Sequence, residues 1–442
     1  MRLLLLLLLA APAAAQVPAD SLLPPEPIRV TAVPPDSLPL LTPDEVATRV
    51  LAENPTVAIA RLDRAIAEND HSIGNAGFLP TAGLTATQRR VPDRPGAESG
   101  SFENTTLDVV AGVDVPIFQG LSRFARYERL GVLAEQQALA AEATAEATLA
   151  DALVLYYDVA GQQQQLAVLR EAVAISDERL RIATGRRDVG AASDLEVRRA
   201  LVDLNADRAA LLRQEAALAR SKALLNEYLN RPAGLDYRVS DSTDIAKNLD
   251  LAALETAALA EAPALRAAER GVEAAELERT AIRREVWPRV SLSAGYAFSE
   301  LTDPLLAPGQ TGGLTVGLTA SLPIFDAFDR RRRTDNAGLR IQQQTLAAER
   351  TRTAFLTGLR STYALYERSL LLVELEEENA EAARQNVDVA LERFRLGAST
   401  SVELREVQRA LTDAQSRLVR ARFEAKQAEI DLRALSGRLL EE

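Results

Sequence analysis

The chain has 442 residues, of which 26% are charged and 47% are hydrophobic, proportions typical of a folded protein. Its formal net charge of -12 argues against a nucleic-acid partner, because phosphate binding requires clustered positive charge. There is no cysteine and only one histidine, His71, so thiol chemistry is excluded and His-dependent triads nearly so. No phosphate-binding loop of the Gly-x-x-x-x-Gly-Lys type occurs. We therefore expect no enzyme, no cofactor and no metal site.

The N-terminus has the pattern of a secretory signal peptide over residues 1–15. Arg2 supplies the positive charge, residues 3–9 form a short apolar run, and three alanines at 13–15 predict cleavage after Ala15. No cysteine follows the site, so we expect no lipid anchor. The proline-rich segment 16–41 predicts an extended linker. Beyond it, no stretch of about 20 uncharged apolar residues predicts a transmembrane helix.

The rest of the sequence is an internal duplication. Five landmarks recur at an offset of 207 or 208 residues, which is hard to obtain by chance. They are Asn54-Pro55 with Ala262-Pro263, Leu79-Pro80 with Trp287-Pro288, Val115-Pro116-Ile117-Phe118 with Leu322-Pro323-Ile324-Phe325, Tyr156 with Tyr363, and Val189-Gly190-Ala191 with Leu396-Gly397-Ala398. We predict a first repeat over 42–231, a linker over 232–249, a second repeat over 250–437 and a tail over 438–442.

Each repeat opens with a helix, which in the first repeat covers 43–77, and continues with two strands. Alternation of apolar and small polar residues places the strands at about 79–90 and 105–117, and at about 288–299 and 312–324. Each strand is about the ~9–11 residues that a tilted membrane strand needs, and the small polar face is typical of a water-filled barrel. The alternative is a half-buried sheet of a soluble protein, which alternation alone does not exclude.

Proline and aromatic residues mark the places where helix meets strand. Proline ends a helix and is tolerated at the end of a strand, which predicts four junctions. The prolines are Pro80, Pro116, Pro288 and Pro323, and the aromatic residues beside them are Phe78, Phe118, Trp287 and Phe325. This clustering fits an aromatic girdle at a membrane interface and equally fits simple packing at the junctions.

The helices that follow the strands are unusually long. No proline interrupts residues 121–187, and a helix of that length would extend about 100 Å at 1.5 Å per residue. The return helix carries apolar residues at every seventh position, and the same stripe recurs 207 residues later. The first stripe is Val197, Leu204, Leu211, Leu218 and Leu225. A sustained heptad stripe predicts coiled-coil packing within a helical hairpin.

The tips of both hairpins carry the same turn signals. Gly190 and Gly397 stop the first helix of each hairpin, which predicts a positive φ at both glycines. The second helices start at Ser193 with Glu196 and at Thr400 with Glu403, which predicts two capping boxes. Short polar tips far from the strands would lie at the opposite end of a long rod.

At this point the sequence resembles the TolC-type outer-membrane efflux proteins, the outer membrane factors of tripartite efflux and type I secretion systems. The resemblance covers about residues 42–437. It rests on the duplicated order of helix, strand, strand and helix, on the junctions at 115–118 and 322–325, and on the tips at 189–193 and 396–400. It implies a mainly α protein with membrane β structure: a homotrimer with a twelve-strand β-barrel in the outer membrane and a twelve-helix coiled-coil tunnel in the periplasm.

The residues lead to the same assembly without the family. Four strands per chain leave two open edges, which lipid does not tolerate. Two chains would give an eight-strand barrel that side chains nearly fill, whereas three chains leave room for a duct. The resemblance further implies that a periplasmic adaptor docks at the tips, here Gly190, Ser193, Gly397 and Thr400, and that an inner-membrane transporter lies beneath.

The resemblance also implies a periplasmic gate made of polar and ionic contacts near the tips. Aligned on the tip glycines, Glu196, Glu403 and Glu406 fall where family members carry acidic residues. The sequence departs from the pattern at two places, because Phe394 and Ser399 occupy the positions of the expected gate tyrosine and arginine. Replacement contacts are available from Arg186, Arg187, Arg393 and Arg395, which also suit the C-terminal ends of helices.

We therefore expect an exit duct in the outer membrane that passively conducts substrates from an adaptor and a pump to the cell exterior, in efflux or type I secretion. The alternatives are a periplasmic coiled-coil adaptor or scaffold without a pore, and a porin-like uptake channel. The first would not need duplicated strand pairs, and the second would not need such long helices. The cargo stays open between drugs, metals, polysaccharides and proteins.

Overall fold

The structure is a computed structural model that describes residues 38–92, 103–302, 309–437 and 439. The expected signal peptide, the cleavage site after Ala15 and most of the expected linker over 16–41 lie outside the described residues.

Both repeats have the same order of elements. The first contains β1 (Leu40–Leu41), α1 (Pro43–Glu53), α2 (Pro55–Asp70), β2 (Thr81–Pro92), β3 (Glu103–Gln119), α3 (Ser122–Asp188) and α4 (Asp194–Tyr228). The second contains β4 (Arg238–Val239), α5 (Leu251–Glu261), α6 (Pro263–Arg283), a 3-10 turn at Arg284–Val286, β5 (Arg289–Thr302), β6 (Gly309–Ser321), α7 (Asp329–Arg395) and α8 (Ser401–Leu435).

The expectation of one opening helix over 43–77 was wrong, because two helices meet at a proline. Asn54 caps α2, its side-chain oxygen accepting the amide of Thr56 at 2.8 Å, and Pro55 takes the first helical position, where no amide is needed. The second repeat breaks in the same way at Pro263. Pro55 and Pro263, one landmark pair of the duplication, therefore each begin a helix.

The long helices α3 and α7 each span 67 residues, as their lack of proline predicts, and thus extend about 100 Å. Near the sheet they form a layer with the order α2, α3, α6, α7, and beyond the middle of the molecule the order is α4, α3, α8, α7. The predicted heptad stripes face these contacts, since Leu204, Leu225 and Leu404 are almost fully buried. None of the described helices combines the length and apolar character needed to cross a bilayer.

The strands β2, β3, β5 and β6 form one antiparallel sheet in that order. The pairing of β3 with β5 joins the two repeats, so neither repeat is a separate domain. Pro116 was expected at a junction but lies inside β3, which continues to Gln119. The register between β3 and β5 shifts between Pro116 and Phe118, so the strand accommodates the proline with a bulge.

Two segments that the sequence suggested as linkers contain a further pair of strands. β1, at the end of 16–41, pairs in parallel with β4, which lies within 232–249. The pair covers the middle of α3, where the hydroxyl of Tyr156 donates to the Leu41 carbonyl at 3.2 Å and accepts the Ser240 amide. Tyr156 is fully buried, so this pair fixes the connecting segments to the long helix.

Candidate functional site

The two hairpin tips have nearly the same backbone. Gly190 has φ +77° and Gly397 has φ +74°, so the positive φ predicted from the sequence is confirmed. At both glycines an added Cβ would meet nothing within 4 Å, so backbone strain is the only obstacle to a larger residue. The tips are therefore exposed turns with open space around them.

Only half of each predicted capping box forms. The hydroxyls of Ser193 and Thr400 accept the amides of Glu196 and Glu403, at 3.3 and 3.2 Å. The carboxylates of Glu196 and Glu403 do not accept the amides of Ser193 and Thr400, as a full capping box requires. Glu403 accepts a hydrogen bond from the Ser399 hydroxyl at 2.8 Å and lies 3.6 Å from Arg393. Because the tip arginines and Ser399 compete for these carboxylates, the second half of the box is lost.

Arginines at the ends of α3 and α7 support the tips in equivalent ways. Arg186 donates to the Ala191 carbonyl at 3.5 Å, and Arg393, which is 207 residues later, donates to the Ala398 carbonyl at 3.4 Å. Arg186 also lies 3.9 Å from Glu196. Each of these contacts links the end of the first helix of a hairpin to the turn or the second helix of the same hairpin.

A further arginine connects the two hairpins. Arg395 on α7 donates to Glu178 on α3 at 3.2 Å. Hydrogen bonds from Arg181 and from Arg395 lower the pKa of Glu178 to about 2. The carboxylate is therefore ionised at neutral pH and holds the ends of the two long helices together.

Phe394 and Ser399, which depart from the family pattern, are both buried. Phe394 is fully buried with Ala390 and Leu404, and the Arg186 guanidinium lies 5.4 Å from the centre of its ring. Ser399 is 8% exposed and holds Glu403. Both residues therefore pack the inside of the second tip.

The structure brings two of the three predicted acidic gate residues together. A groove of about 570 Å³ runs between the starts of α4 and α8, and Glu196 and Glu406 line it with Arg199 and Arg409. Glu406 is exposed and makes no ion pair among the described residues. Glu403 does not line this groove. Its carboxylate instead contacts Ser399 and Arg393 of its own tip.

A buried ionic cluster lies a few turns above the tips, and the sequence did not predict it. Arg405 on α8 donates to both carboxylate oxygens of Asp207 on α4, at 2.6 and 2.9 Å. Arg179 on α3 is fully buried and forms an ion pair with Asp203 on α4. Gln408 on α8 donates to the Ser176 hydroxyl on α3 at 2.7 Å. The cluster fastens the first hairpin to α8.

A signal for this cluster was present in the duplication. Asp203 and Asp207 correspond, 207 residues later, to Ala410 and Ala414, which are apolar. Positions that are charged in one repeat and alanine in the other do not serve the shared fold. Comparing the repeats residue by residue would therefore have indicated the acidic half of the cluster.

The sheet has one apolar and one small polar face, as the alternation predicts. The register places Leu292 opposite both Val115 and Leu318 on the apolar face. On the other face Ser293 lies opposite Asp114 and Gly317. Leu318 is 67% exposed in the single chain, so the apolar face lacks a cover there. Among the described residues, no group of three or more His, Cys, Asp or Glu side chains is arranged to hold a metal ion.

Known proteins resemble the chain over most of its length. The family model of outer membrane efflux proteins matches residues 46–231 and 254–438, one match for each repeat. The toluene efflux pump outer membrane protein TtgF of Pseudomonas putida is 28% identical over 388 residues, which cover 83% of this chain and 77% of TtgF.

Solved structures have the same fold. The outer-membrane channel OprN matches with a TM-score of 0.74 and 19% identity, over 90% of this chain and 91% of OprN. The CmeC outer membrane channel of Campylobacter jejuni matches with a TM-score of 0.72 and 15% identity, over 90% of this chain and 85% of CmeC. Two matched repeats of one family model account for most of the chain, and the chain therefore belongs to the outer membrane efflux protein family, as an exit duct of the outer membrane.

Proposed function

We propose that three copies of this chain close into one tube that conducts substrates passively from a periplasmic adaptor and an inner-membrane pump to the exterior. Proteins of this family form trimers and work with adaptors and inner-membrane pumps. The observation that carries the proposal is the open sheet, in which β2 and β6 are the two end strands of a four-strand order.

The direction of the end strands suits closure by further copies. Neighbouring strands of the sheet are all antiparallel, so β2 and β6 run in opposite directions. β6 of one copy can therefore pair antiparallel with β2 of the next without any change of topology. Three copies give twelve strands, wide enough for a channel, whereas two give eight, which side chains fill. Pairing in a ring satisfies the edge amides and carbonyls that lipid leaves without partners.

The lengths of the elements assign the two ends of the duct. The sheet strands of 12 to 17 residues are long enough to cross a tilted bilayer. The helices of about 100 Å start at the sheet and end at the polar tips. We infer that the tips Gly190, Ser193, Gly397 and Thr400 meet the adaptor. The groove with Glu196 and Glu406 would then lie at the periplasmic mouth.

The second candidate is an adaptor or scaffold without a pore. The sheet argues against it, because a soluble scaffold would not leave an apolar face such as that of Leu84, Leu314 and Leu318 uncovered, all of which are more than 60% exposed. We also propose that the chain carries out no catalysis. Export energy must then come from the pump.

Two measurements test the proposed function. Native mass determination in detergent should give a trimer, and purified protein in planar bilayers should form ion-conducting pores. The matched control is a variant with the apolar face broken at two places, Leu314→Arg and Leu318→Arg, which should not insert. Extraction of the protein from washed membranes without detergent, or a stable monomer that forms no pores, would contradict the proposal.

A further inference from the structure

We propose that α4 of one copy packs antiparallel against α7 of the next copy, in a register that the duplication and two apolar stripes together indicate. The proposal rests on the proposed trimer and names the residues that meet between copies. α4 and α7 are the two end helices of the layer α4, α3, α8, α7, so each presents one side to a neighbour.

Both end helices carry an unpartnered coiled-coil stripe. On α4 it consists of Leu195, Arg198, Val202, Asn205, Ala209, Leu212, Ala216 and Ala219. On α7 it consists of Leu365, Arg368, Leu372, Leu375, Asn379, Ala382, Asn386 and Val389. In both stripes the spacing alternates between three and four residues, the pattern of a packed helix pair. All of these residues except the half-buried Ala209 are exposed in the single chain.

Exposed apolar residues at this spacing are not expected on a solvated helix. Val202 and Leu212 are 67% and 66% exposed, and Leu375 and Val389 are 55% and 61% exposed. Each helix already buries a different face against its own partner, α3 for α4 and α8 for α7. A second stripe is therefore the signature of a second helix neighbour.

The duplication supplies the register between the two stripes. Within the chain, α3 of repeat one packs on α8 of repeat two, with Gln408 donating to Ser176 and Gln415 donating to Glu171 at 2.9 Å. The equivalent contact between copies pairs α7 of repeat two with α4 of repeat one. The position equivalent to Ser176 in repeat two is Ala383, and the position equivalent to Gln408 in repeat one is Leu201. The contact between Ser176 and Gln408 within a chain therefore predicts a contact between Ala383 and Leu201 of neighbouring copies.

That register brings the two stripes together layer by layer. Because antiparallel helices run in opposite directions, four residues along α4 from Leu201 correspond to four residues back along α7 from Ala383, which places Asn205 opposite Asn379. The remaining layers follow. They are Leu195 with Val389, Arg198 with Asn386, Val202 with Ala382, Ala209 with Leu375, Leu212 with Leu372, Ala216 with Arg368, and Ala219 with Leu365.

The layers are complementary in size and polarity. Most of the apolar layers set a large side chain against a small one, such as Leu375 against Ala209, which allows close packing. The single Asn–Asn layer, Asn205 with Asn379, falls within the seam, and a buried polar pair of this kind fixes register. The contacts between α3 and α8 lie within about one turn of this register, since Gln408 also donates to the Ala172 carbonyl at 2.8 Å and Gln165 donates to Ser416 at 2.9 Å. The stripes repeat every seven residues, and among the registers that align them this one is nearest to those contacts.

One charge pair flanks the seam in the same register. Glu171 is equivalent to Glu378 on α7, and Gln415 is equivalent to Arg208 on α4. Both are exposed in the single chain, and their charges are opposite. Arg208 also lies 3.3 Å from Asp177 of its own chain, so the seam would place it between two carboxylates.

Disulfide cross-linking tests the register directly, since the chain has no cysteine. A disulfide needs Cα atoms within about 7 Å, so it reports pairing to within a turn. The double variant Leu212→Cys, Leu372→Cys should give covalent dimers and trimers on non-reducing gels after mild oxidation. The matched control Leu212→Cys, Leu365→Cys uses the same stripes but lies about 10 Å out of register and should not cross-link.

The outcomes separate the register from the proposed function. Each single-cysteine variant must stay monomeric on the gel. Cross-linking of the control pair, or of neither pair in a protein that native mass shows to be a trimer, overturns the seam and leaves the trimer standing. A monomeric native mass for the cysteine-free protein overturns the proposed function itself. As a second readout, Glu378→Arg should lower the temperature at which the trimer dissociates, and adding Arg208→Glu should restore it.

Discussion

Arg405 on α8 donates hydrogen bonds from both of its terminal guanidinium nitrogens to the carboxylate of Asp207 on α4. The contact joins repeat two to repeat one. The two side chains are only 12% and 16% exposed. The Ser176 hydroxyl on α3 also donates to Asp207, so three helices meet at one carboxylate. This ionic cluster therefore fastens α3, α4 and α8 together within one chain.

Removing one partner of that pair should therefore be costly. We expect Arg405→Met to destabilise the folded chain by ~3–5 kcal/mol, because Asp207 would stay mostly buried without its countercharge. The double variant Arg405→Met, Asp207→Leu should recover most of the loss. The midpoint of thermal unfolding, followed by circular dichroism, measures both. Arg409→Ala is the control. That arginine is 64% exposed and lies 3.7 Å from Asp203, so its loss should change stability by less than ~1 kcal/mol.

The tip glycines provide a test of docking. Gly397→Val should strain the turn by roughly 1–2 kcal/mol, since a β-branched residue is poorly tolerated at positive φ. The turn should distort while the trimer in the membrane stays intact. Adaptor-dependent export in a cell assay should fall. Gly185→Val on α3 is the control, because that glycine is helical and an added Cβ meets nothing within 4 Å. Equal export by both variants would contradict a role of the tip in docking.

Glu406 should contribute to cation preference at the periplasmic mouth. Threefold symmetry would place three copies around one axis, and like carboxylates at close range attract cations. In planar bilayers, Glu406→Gln should reduce both cation selectivity and block by trivalent cations. Glu403→Gln should change both less, because Arg393 lies 3.6 Å from that carboxylate. The duplication does not require the acid, since its counterpart is Arg199. Unchanged selectivity in Glu406→Gln would make this residue an ordinary surface charge.

The contact of Glu178 with Arg181 and Arg395 should make the link between the long helices sensitive to acid. Its pKa falls from 4.5 to about 2 in the folded chain, so the folded state favours the ionised form. The stabilisation is therefore complete above about pH 4.5 and is lost as the pH falls towards 2. The difference in unfolding temperature between the wild type and Glu178→Gln should be largest at neutral pH and shrink in acid. A difference independent of pH would rule out the charged contact as its cause.

The two faces of the sheet should respond differently to charge. Leu318→Arg places a cation on the apolar face and should cost ~2–4 kcal/mol near the bilayer midplane, reducing assembly in the membrane. Thr319→Arg, on the adjacent residue of the opposite face, should assemble and alter conductance. The amount of trimer in purified membranes and the single-channel conductance measure the two effects. Similar assembly of both variants would contradict the assignment of the faces.

The features that repeat along the chain can be predicted from the residues alone. The offset of 207 residues, the alternation in four strands and the absence of proline from 121–187 predict the two repeats, the sheet and the long helices. Gly190 and Gly397 also predict their own positive φ. These features are local, because period and turn chemistry depend on residues that are close in sequence.

Which distant residues meet depends instead on how the separate helices pack. Asn54-Pro55 reads as a landmark in the sequence, and the structure makes it a helix boundary. Glu403 fits a capping box, yet Ser399 and Arg393 draw its carboxylate away. The ionic cluster of Arg179, Asp203, Asp207 and Arg405 depends on three helices crossing at one level. The sequence of a single helix does not indicate which neighbour its charged residues will contact, because the energy of an ion pair arises only when separate elements pack together.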